Sequence, residues 1–382
     1  MHGVASFGCC LLVSIHIPSH RDAAANPYLP VTGRSVDYSW VVFDLVTDRR
    51  SDVVIVGAGP IGLETAAVLA HEGLVVQVVD SGPLGATIAR TFPPHTRFFT
   101  SPERLSLSGL AIAPVHQEKL TGEEYLAYLR QYVATHDLRV DTFTEILSGA
   151  RQPVTVVGRT LSGQRRVYSA DTLVLATGGT DRPRRLGVPG EDLPHVRSHL
   201  GDPHRYAGRT VVIVGGRNSA VESALRCYRA GAHVHLVHRR SHIHERVKFW
   251  LRPEVQSLLD EGAITGHLPG EVARITPEAV VLSDGRHVEA DDVVLQIGYE
   301  QDGALFDMFG VPREGVNKSP VIDPVTMRAA EDLYVVGTAT AGTQDRFEVF
   351  IENSHDHAAR VAAALAGRPA PSPRPARPIP EV

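Results

Sequence analysis

The chain has 382 residues, enough for two or three domains and a sizeable core. Hydrophobic residues make up 43% and charged residues 21%, the balance of an ordinary globular protein, and a formal charge of −5 gives no global pull toward nucleic acid or an anionic membrane. Three cysteines (Cys9, Cys10, Cys227) make neither a disulfide framework nor a CxxC pair, and no apolar run is long enough to span a bilayer.

Residues 1–50 stand apart from the rest. Gly3 to Ile17 is apolar-rich, but no cationic stretch precedes it and no A-x-A site follows, so a secretory signal is not expected. The expectation is a disordered extension. The organising stretch comes next, VVIVGAGPIG at Val53–Gly62. Four apolar residues run into Gly57, Gly59 and Gly62, and a helical pattern begins at Pro60 with Ile61 behind it. This is strand, tight turn and helix start. Gly57 allows the turn, Gly59 lets a pyrophosphate approach the backbone, and Gly62 lets helix and strand pack closely. Phosphates would meet the free N–H groups of the helix start. A second strand, Val75–Val79, ends in Asp80 about 20 residues on, where a carboxylate takes a ribose hydroxyl pair.

Ser101-Pro102-Glu103 marks a helix entry, but Ser108-Gly109 follows too soon for a long helix. A short turn in a loop folded back over the first nucleotide site is expected. Thr121 and Glu124 form a capping box, and Tyr125, Leu126, Leu129, Tyr132 and Val133 make a core-facing stripe. Short strands at Leu138–Val140 and Thr144–Leu147, then Val154–Val157 and Arg166–Tyr168 about a Ser162-Gly163 turn, read as a meander. The stretch DTLVLATGG, Asp171–Gly179, is a buried strand ending in glycines.

The plan then repeats. RTVVIV at Arg209–Val214 runs into GGRNSAVESALRCYRAGA and a strand at His233–Val237. Here Arg217 and Ala220 stand at the second and third glycine positions, so the Arg217 guanidinium points either at a phosphate or at solvent. His238-Arg239-Arg240 stands where the first half has Asp80, and cations there suit a 2′-phosphate, so this half should prefer NADPH. A second meander spans 271–292 around Asp284-Gly285, followed by VVLQIGYE at 293–300. LYVVG at Leu333–Gly337 and a final helix, about Phe350 to Ala366, close the first half. The fold class is α/β, two Rossmann-like dinucleotide-binding domains with the NADPH domain inserted into the FAD domain. The expected boundaries are 51–184 and 296–366 for FAD and 185–295 for NADPH, with a proline-rich tail at 367–382.

LATGG (175–179) with VPGE (188–191), and LYVVG, resemble the two-dinucleotide-domain flavoproteins, the low-molecular-weight thioredoxin reductases in particular. FFTSPERL (98–105), VGGRNSAVESAL after Ile213, VHRR, RVKFWLRPEV and FIENSHDH together are similar to the bacillithiol-disulfide reductase (YpdA-like) family, over nearly all of residues 52–366. That resemblance implies a cytoplasmic, usually oligomeric FAD enzyme that takes hydride from NADPH and reduces a low-molecular-weight disulfide. The candidate cofactor-binding residues become Gly57, Gly59, Pro60, Ile61, Gly62, Asp80, Thr100, Ile146, Thr177, Gly178, Gly337 and Phe350, with Gly215, Asn218, Ser219, Ala220, His238, Arg239, Arg240 and Gly298. It also implies that the final helix start, near Phe350 and Ile351, turns its dipole on the reduced flavin; Glu348 and Glu352 would then simply complement that dipole.

One departure matters. The family's glycine turn reads G-x-G-P-C-G, its cysteine implied to be the redox thiol, and here that position is Ile61, which cannot attack a disulfide. Cys227, among alanines at helical spacing, reads as a core residue, and His355 and His357 at i, i+2 do not share a face for a metal. No catalytic residue is assigned. The leading function is an NADPH- and FAD-dependent reductase of a small acceptor, either a small molecule or a small protein. The alternatives are a flavin monooxygenase or ferredoxin/flavodoxin-NADP reductase-like enzyme, and a non-enzymatic flavin-bound redox sensor. Val188–His195 resembles the monooxygenase segment before the second nucleotide motif, with its histidine one place out.

Overall fold

The computed structural model describes residues 47–345 and 347–371, all within one compact unit. In chain order these give β1 (Thr47–Arg50), β2 (Val53–Val56), α1 (Pro60–His71), β3 (Val76–Val79), α2 (Ala86–Thr91), α3 (Pro102–Leu105), α4 (Gly122–Thr135) and β4 (Arg139–Asp141). A meander, β5 (Thr144–Ala150), β6 (Val154–Thr160) and β7 (Arg165–Ala170), leads to β8 (Thr172–Leu175). The second half holds β9 (Arg182–Pro183), β10 (Val196–Arg197), β11 (Thr210–Val214), α5 (Asn218–Arg229), β12 (His233–Val237), α6 (Leu251–Asp260) and β13 (Thr265–His267). Its own meander is β14 (Val272–Ile275), β15 (Ala279–Leu282) and β16 (His287–Glu289), before β17 (Asp292–Leu295) and β18 (Tyr299–Glu300). The chain closes with α7 (Ala304–Met308), β19 (Arg313–Glu314), β20 (Ser319–Pro320), β21 (Arg328–Ala330), β22 (Leu333–Val335) and α8 (Asp356–Leu365).

Two sheets organise these elements. One has six strands in the order β21-β22-β8-β2-β3-β4, parallel except for the β21–β22 pair. The other has five parallel strands in the order β10-β17-β11-β12-β13. Because β22 rejoins the first sheet after the second is complete, one nucleotide fold is inserted in the other. The chain passes between them twice, and the two passages pair as the short antiparallel strands β9 and β18.

The central strands show why this sequence chooses this architecture. All four residues of β2 are buried, as a strand covered on both faces requires. Val53 and Ile55 join the core formed with α1, α4 and α8, while Val54 and Val56 join the core under the first meander and α7. The second half repeats this: Val211 and Ile213 face the α5–α6 side, and Val212 and Val214 face the β14–β16 meander. Each half is therefore three layers: helices, parallel sheet and antiparallel sheet. The period-two alternation of a strand assigns its side chains to the two outer layers.

The Thr121–Glu124 capping box forms as expected, with Glu124 N–H donating to Thr121 Oγ1 (3.2 Å) and Thr121 N–H to Glu124 Oε2 (2.7 Å). The α4 tyrosines are core residues with a second duty. Tyr125, Tyr128 and Tyr132 donate to the carbonyls of Leu105, Leu110 and Ser108 (3.1, 2.8 and 2.9 Å), which pins the loop around α3 to the helix. Cys227 is fully buried, and desolvation pushes its thiol up to about 12, so the core reading holds.

Residues 47–50 correct the expected boundary of the N-terminal extension: β1 runs parallel to β7 and extends the first meander by a strand. The rest of that extension, with Cys9 and Cys10, lies outside the described residues, as does the tail from 372 onward. The final helix is also shorter than expected. α8 begins at Asp356, preceded by a separate 3₁₀ turn at Ile351–Asn353. Among the described residues no helix is long and apolar enough to cross a membrane.

Candidate functional site

A cleft of about 2320 Å³ runs between the two nucleotide folds, lined by the residues that follow β2, β3, β8, β11, β12, β17 and β22. Carboxyl ends of parallel strands are where α/β sheets place ligands. Of the sequence candidates, Gly57, Gly59, Pro60, Ile61, Gly62, Asp80, Ile146, Thr177, Gly178, Gly337 and Phe350 line it. So do Gly215, Asn218, Ser219, His238, Arg239, Arg240 and Gly298.

Two candidates are not brought to its wall. Thr100 is buried behind it, and Ala220 is fully buried in the second core. Ala220 serves packing instead: a Cβ at Gly215 would lie 2.8 Å from the Ala220 Cβ, so the bare Gly215 lets α5 pack this close to the end of β11.

At the first turn the three glycines have separable reasons. Gly57 has φ +117°, and a Cβ there would meet the Ala176 carbonyl oxygen at 2.3 Å. A Cβ at Gly62 would lie 2.1 Å from the Gly57 oxygen, so only glycine lets α1 start so near the turn. A Cβ at Gly59 would meet nothing within 4 Å, because that side of the backbone opens on the cleft. No side chain caps α1, so its first N–H groups and positive dipole end stay available. Asp80 accepts from Ala58 N–H (2.6 Å) and Gly82 N–H (2.7 Å), which fixes the carboxylate at the cleft edge. Burial raises its pKa despite those two bonds, which pull the other way. An open glycine, an uncapped helix start and an anchored carboxylate fit a dinucleotide with its pyrophosphate on α1.

The far wall is set from α8. Gly337 N–H donates to His357 Nδ1 (2.9 Å), which leaves the ring proton on Nε2, and burial holds His357 neutral by lowering it to about 4. Gly337 in turn packs on Ile61: a Cβ there would stand 3.1 Å from the Ile61 Cβ. His355 does different work. Its Nδ1 lies 2.7 Å from Glu64 Oε2 and its Nε2 2.8 Å from the Arg104 carbonyl, tying α8 to α1 and the α3 loop. The two histidines share no site, and no group of metal-ligating side chains occurs among the described residues. The dipole assignment needs correction: Phe350 N–H is taken by Asn353 Oδ1 (2.8 Å), and only a 3₁₀ turn of 3 residues starts there.

The second turn answers the missing glycine pattern. The ring of His238 lies over Gly216, where a Cβ would be 2.5 Å from three ring atoms. Burial, helped by Arg239 and Arg240, lowers His238 to about 4, and its Nε2 is buried without a partner among the described residues. Arg239 and Arg240 are exposed at the cleft rim, and neither forms an ion pair among the described residues. Arg217 is exposed and lines the cleft. Its Nη1 donates to the Asp345 carbonyl (2.7 Å), while Arg184 Nη2 meets Asp345 Oδ1 at 2.6 Å.

Sequence reading missed Asp181, Lys248 and Phe99, all on the cleft wall. Lys248 and Phe99 each left a signal, inside the VKFW and FFTSPERL stretches; Asp181 left none. Asp181 accepts from Asp302 N–H (3.2 Å), and burial pushes its carboxyl up to about 6 from 3.8. The native protein therefore holds this proton where the unfolded chain has released it, and stability declines as pH rises from about 4 to about 6. Asp181→Asn keeps the acceptor and removes the titration. The melting temperature of the variant relative to the parent should climb across that window, and a constant difference would refute the assignment.

Two dinucleotide folds facing one cleft define a flavin- and NAD(P)H-dependent oxidoreductase, an enzyme that uses FAD and NAD(P)H. The chain belongs to the pyridine nucleotide-disulphide oxidoreductase family, which matches residues 54–337. It is 31% identical over 325 residues to bacilliredoxin reductase Bdr of Bacillus subtilis (strain 168), covering 84% of this chain and 98% of that protein. It is 26% identical over 298 residues to a ferredoxin–NADP reductase of Ignicoccus hospitalis, covering 76% and 90% of the two chains. Among solved structures, bacillithiol disulfide reductase Bdr (YpdA) from Bacillus cereus superposes with a TM-score of 0.79 at 30% identity, covering 84% of this chain and 99% of that one.

Proposed function

We propose that the enzyme oxidises NADPH on the inserted fold and delivers the electron pair, through FAD on the first fold, to a small acceptor in the shared cleft. The observation that carries this reading is the unpaired Arg239-Arg240 couple at the end of β12, facing the same cleft as the α1 glycine turn. FAD supplies the hydride-accepting ring and the protein the placement. Gly59 and the α1 start would hold its pyrophosphate and Asp80 its ribose. Gly337 and Ile61 would form the wall beside its ring, with Ile146, Thr177 and Gly178 completing the bed. Asn218 and Ser219 at the α5 start would meet the nicotinamide dinucleotide's phosphates, and Arg239 with Arg240 its 2′-phosphate.

The acceptor is the finer question. The relatives are named as reductases of bacilliredoxin, of bacillithiol disulfide and of ferredoxin. Cys227 is the one cysteine among the described residues, and it is buried in the second core. A disulfide acceptor would therefore have no thiol relay from the described cleft wall, which favours acceptors that take electrons directly. A cytoplasmic location and a homo-oligomer belong to the same reading.

Anaerobic addition of NADPH to purified, FAD-loaded protein should bleach the flavin band within turnover time, and a small acceptor should restore it. A band that stays oxidised would sink the reading and favour a flavin-bound sensor. A peroxyflavin spectrum on admitting oxygen would move it to a monooxygenase.

A further inference from the structure

Lys248 is unusual among the cations of the cleft. It sits in the VKFW stretch, held in place by its backbone N–H donating to Asn218 Oδ1 (2.8 Å) at the α5 start. Its ammonium lies 5.5 Å from the Trp250 ring centre and 5.8 Å from that of Phe99. Among the described residues no oxygen is hydrogen-bonded to its ammonium; the side chain is half-buried, and desolvation lowers its pKa while the charge of Glu222 nearby pulls the other way. The neighbouring cations are engaged: Arg97 with Glu118, Arg226 with Glu222, Arg229 with Glu254, and Lys119 with the Phe99 carbonyl.

The place matters as much as the charge. Lys248 lines both the main cleft and a side pocket of about 620 Å³, and the two also share Arg97, Phe98 and Glu222. Phe98, Leu225, Phe249 and Trp250 give the side pocket apolar and aromatic walls. Toward the flavin side, Phe99 stacks edge-on against Phe350 with 5.7 Å between ring centres. Lys119 also lies over Trp250, at 5.1 Å, but it is held by the Phe99 carbonyl. Aromatic walls with a cation that has no hydrogen-bonded oxygen suit a planar molecule carrying an oxygen acceptor.

We infer that the junction of the main cleft and this side pocket binds the electron acceptor, and that the acceptor is a planar quinone-type molecule with an anionic or carbonyl oxygen, held by the Lys248 ammonium where Phe99 of the cleft and Trp250 of the side pocket meet. The inference rests on the oxidoreductase reading above and specifies its acceptor. The reaction balances as NADPH, one proton and quinone giving NADP⁺ and hydroquinone. The C4–H bond of the nicotinamide breaks, its electron pair reduces the two quinone carbonyls to hydroxyls, and the second proton comes from solvent. Lys248 is a binding residue here, its charge stabilising the oxygen on which negative charge gathers.

The test separates binding from turnover. Equilibrium dialysis of oxidised holoenzyme with naphthoquinone sulfonate should give saturable binding, weakened in Lys248→Met by roughly 10- to 100-fold, the worth of one hydrogen bond to a charged group. Lys248→Arg should retain most of the affinity. In steady state the KM for the quinone should rise in Lys248→Met, with the KM for NADPH unchanged. Should Lys248→Met lose its flavin, Lys248→Gln carries the same test with length and polarity kept. Equal binding by parent and charge-free variants would overturn the inference, as would a rise confined to the KM for NADPH, which would make Lys248 a dinucleotide ligand. If the parent binds the probe in a Lys248-dependent way yet NADPH never bleaches the flavin, the pocket stands and the oxidoreductase reading fails instead.

Discussion

Gly62→Ala should yield protein without bound flavin. The added methyl would lie 2.1 Å from the Gly57 carbonyl oxygen and 3.1 Å from the Ala176 Cβ, so α1 would have to back away from the turn. That displaces the N–H groups on which a pyrophosphate would rest. Gly59→Ala is the informative partner. Its methyl enters open space, so the fold should be intact, yet it would stand between the backbone and the phosphates and weaken FAD retention. Flavin absorbance per chain, read beside circular dichroism, checks both. A yellow Gly62→Ala protein at full occupancy would remove the α1 turn from the flavin assignment.

The second large effect concerns coenzyme choice. Replacing Arg239 and Arg240 together by alanine should raise the KM for NADPH by about 10- to 100-fold, since bonds from guanidinium to phosphate are charge-assisted and both side chains are exposed at the cleft rim. The KM for NADH should hardly move. Equal changes would refute the 2′-phosphate assignment. Added salt should weaken NADPH binding by the parent more than by the double variant, because exposed charges are screened.

Much of this is legible in the sequence. The two strand–turn–helix units, both meanders, the capping box at Thr121 and the inserted topology follow from local signals: alternation, glycine spacing and cap chemistry. The parts that were not legible depend on contacts between distant residues. Nothing near Thr47–Arg50 announces a strand, because its partner is β7. A helix pattern through 350–366 hides the break at Ser354, whose hydroxyl bonds the Phe350 carbonyl (2.6 Å) where the 3₁₀ turn ends. Thr100 borrows its neighbours' proximity to the cleft without reaching it. Lys248 could be seen only as a letter of a motif, since its setting over the Phe99 ring as well as that of Trp250 brings in a residue distant in the chain.

The histidine ring lying on Gly216 has a consequence for redesign. Converting the enzyme to the unphosphorylated coenzyme would ordinarily mean installing an acid at the end of β12. Here that exchange would strip the cover from a glycine whose Cα side is filled by imidazole, leaving a void beside the phosphate-facing turn. Positions 216 and 238 therefore form one unit, and a specificity swap that alters one must resize the other.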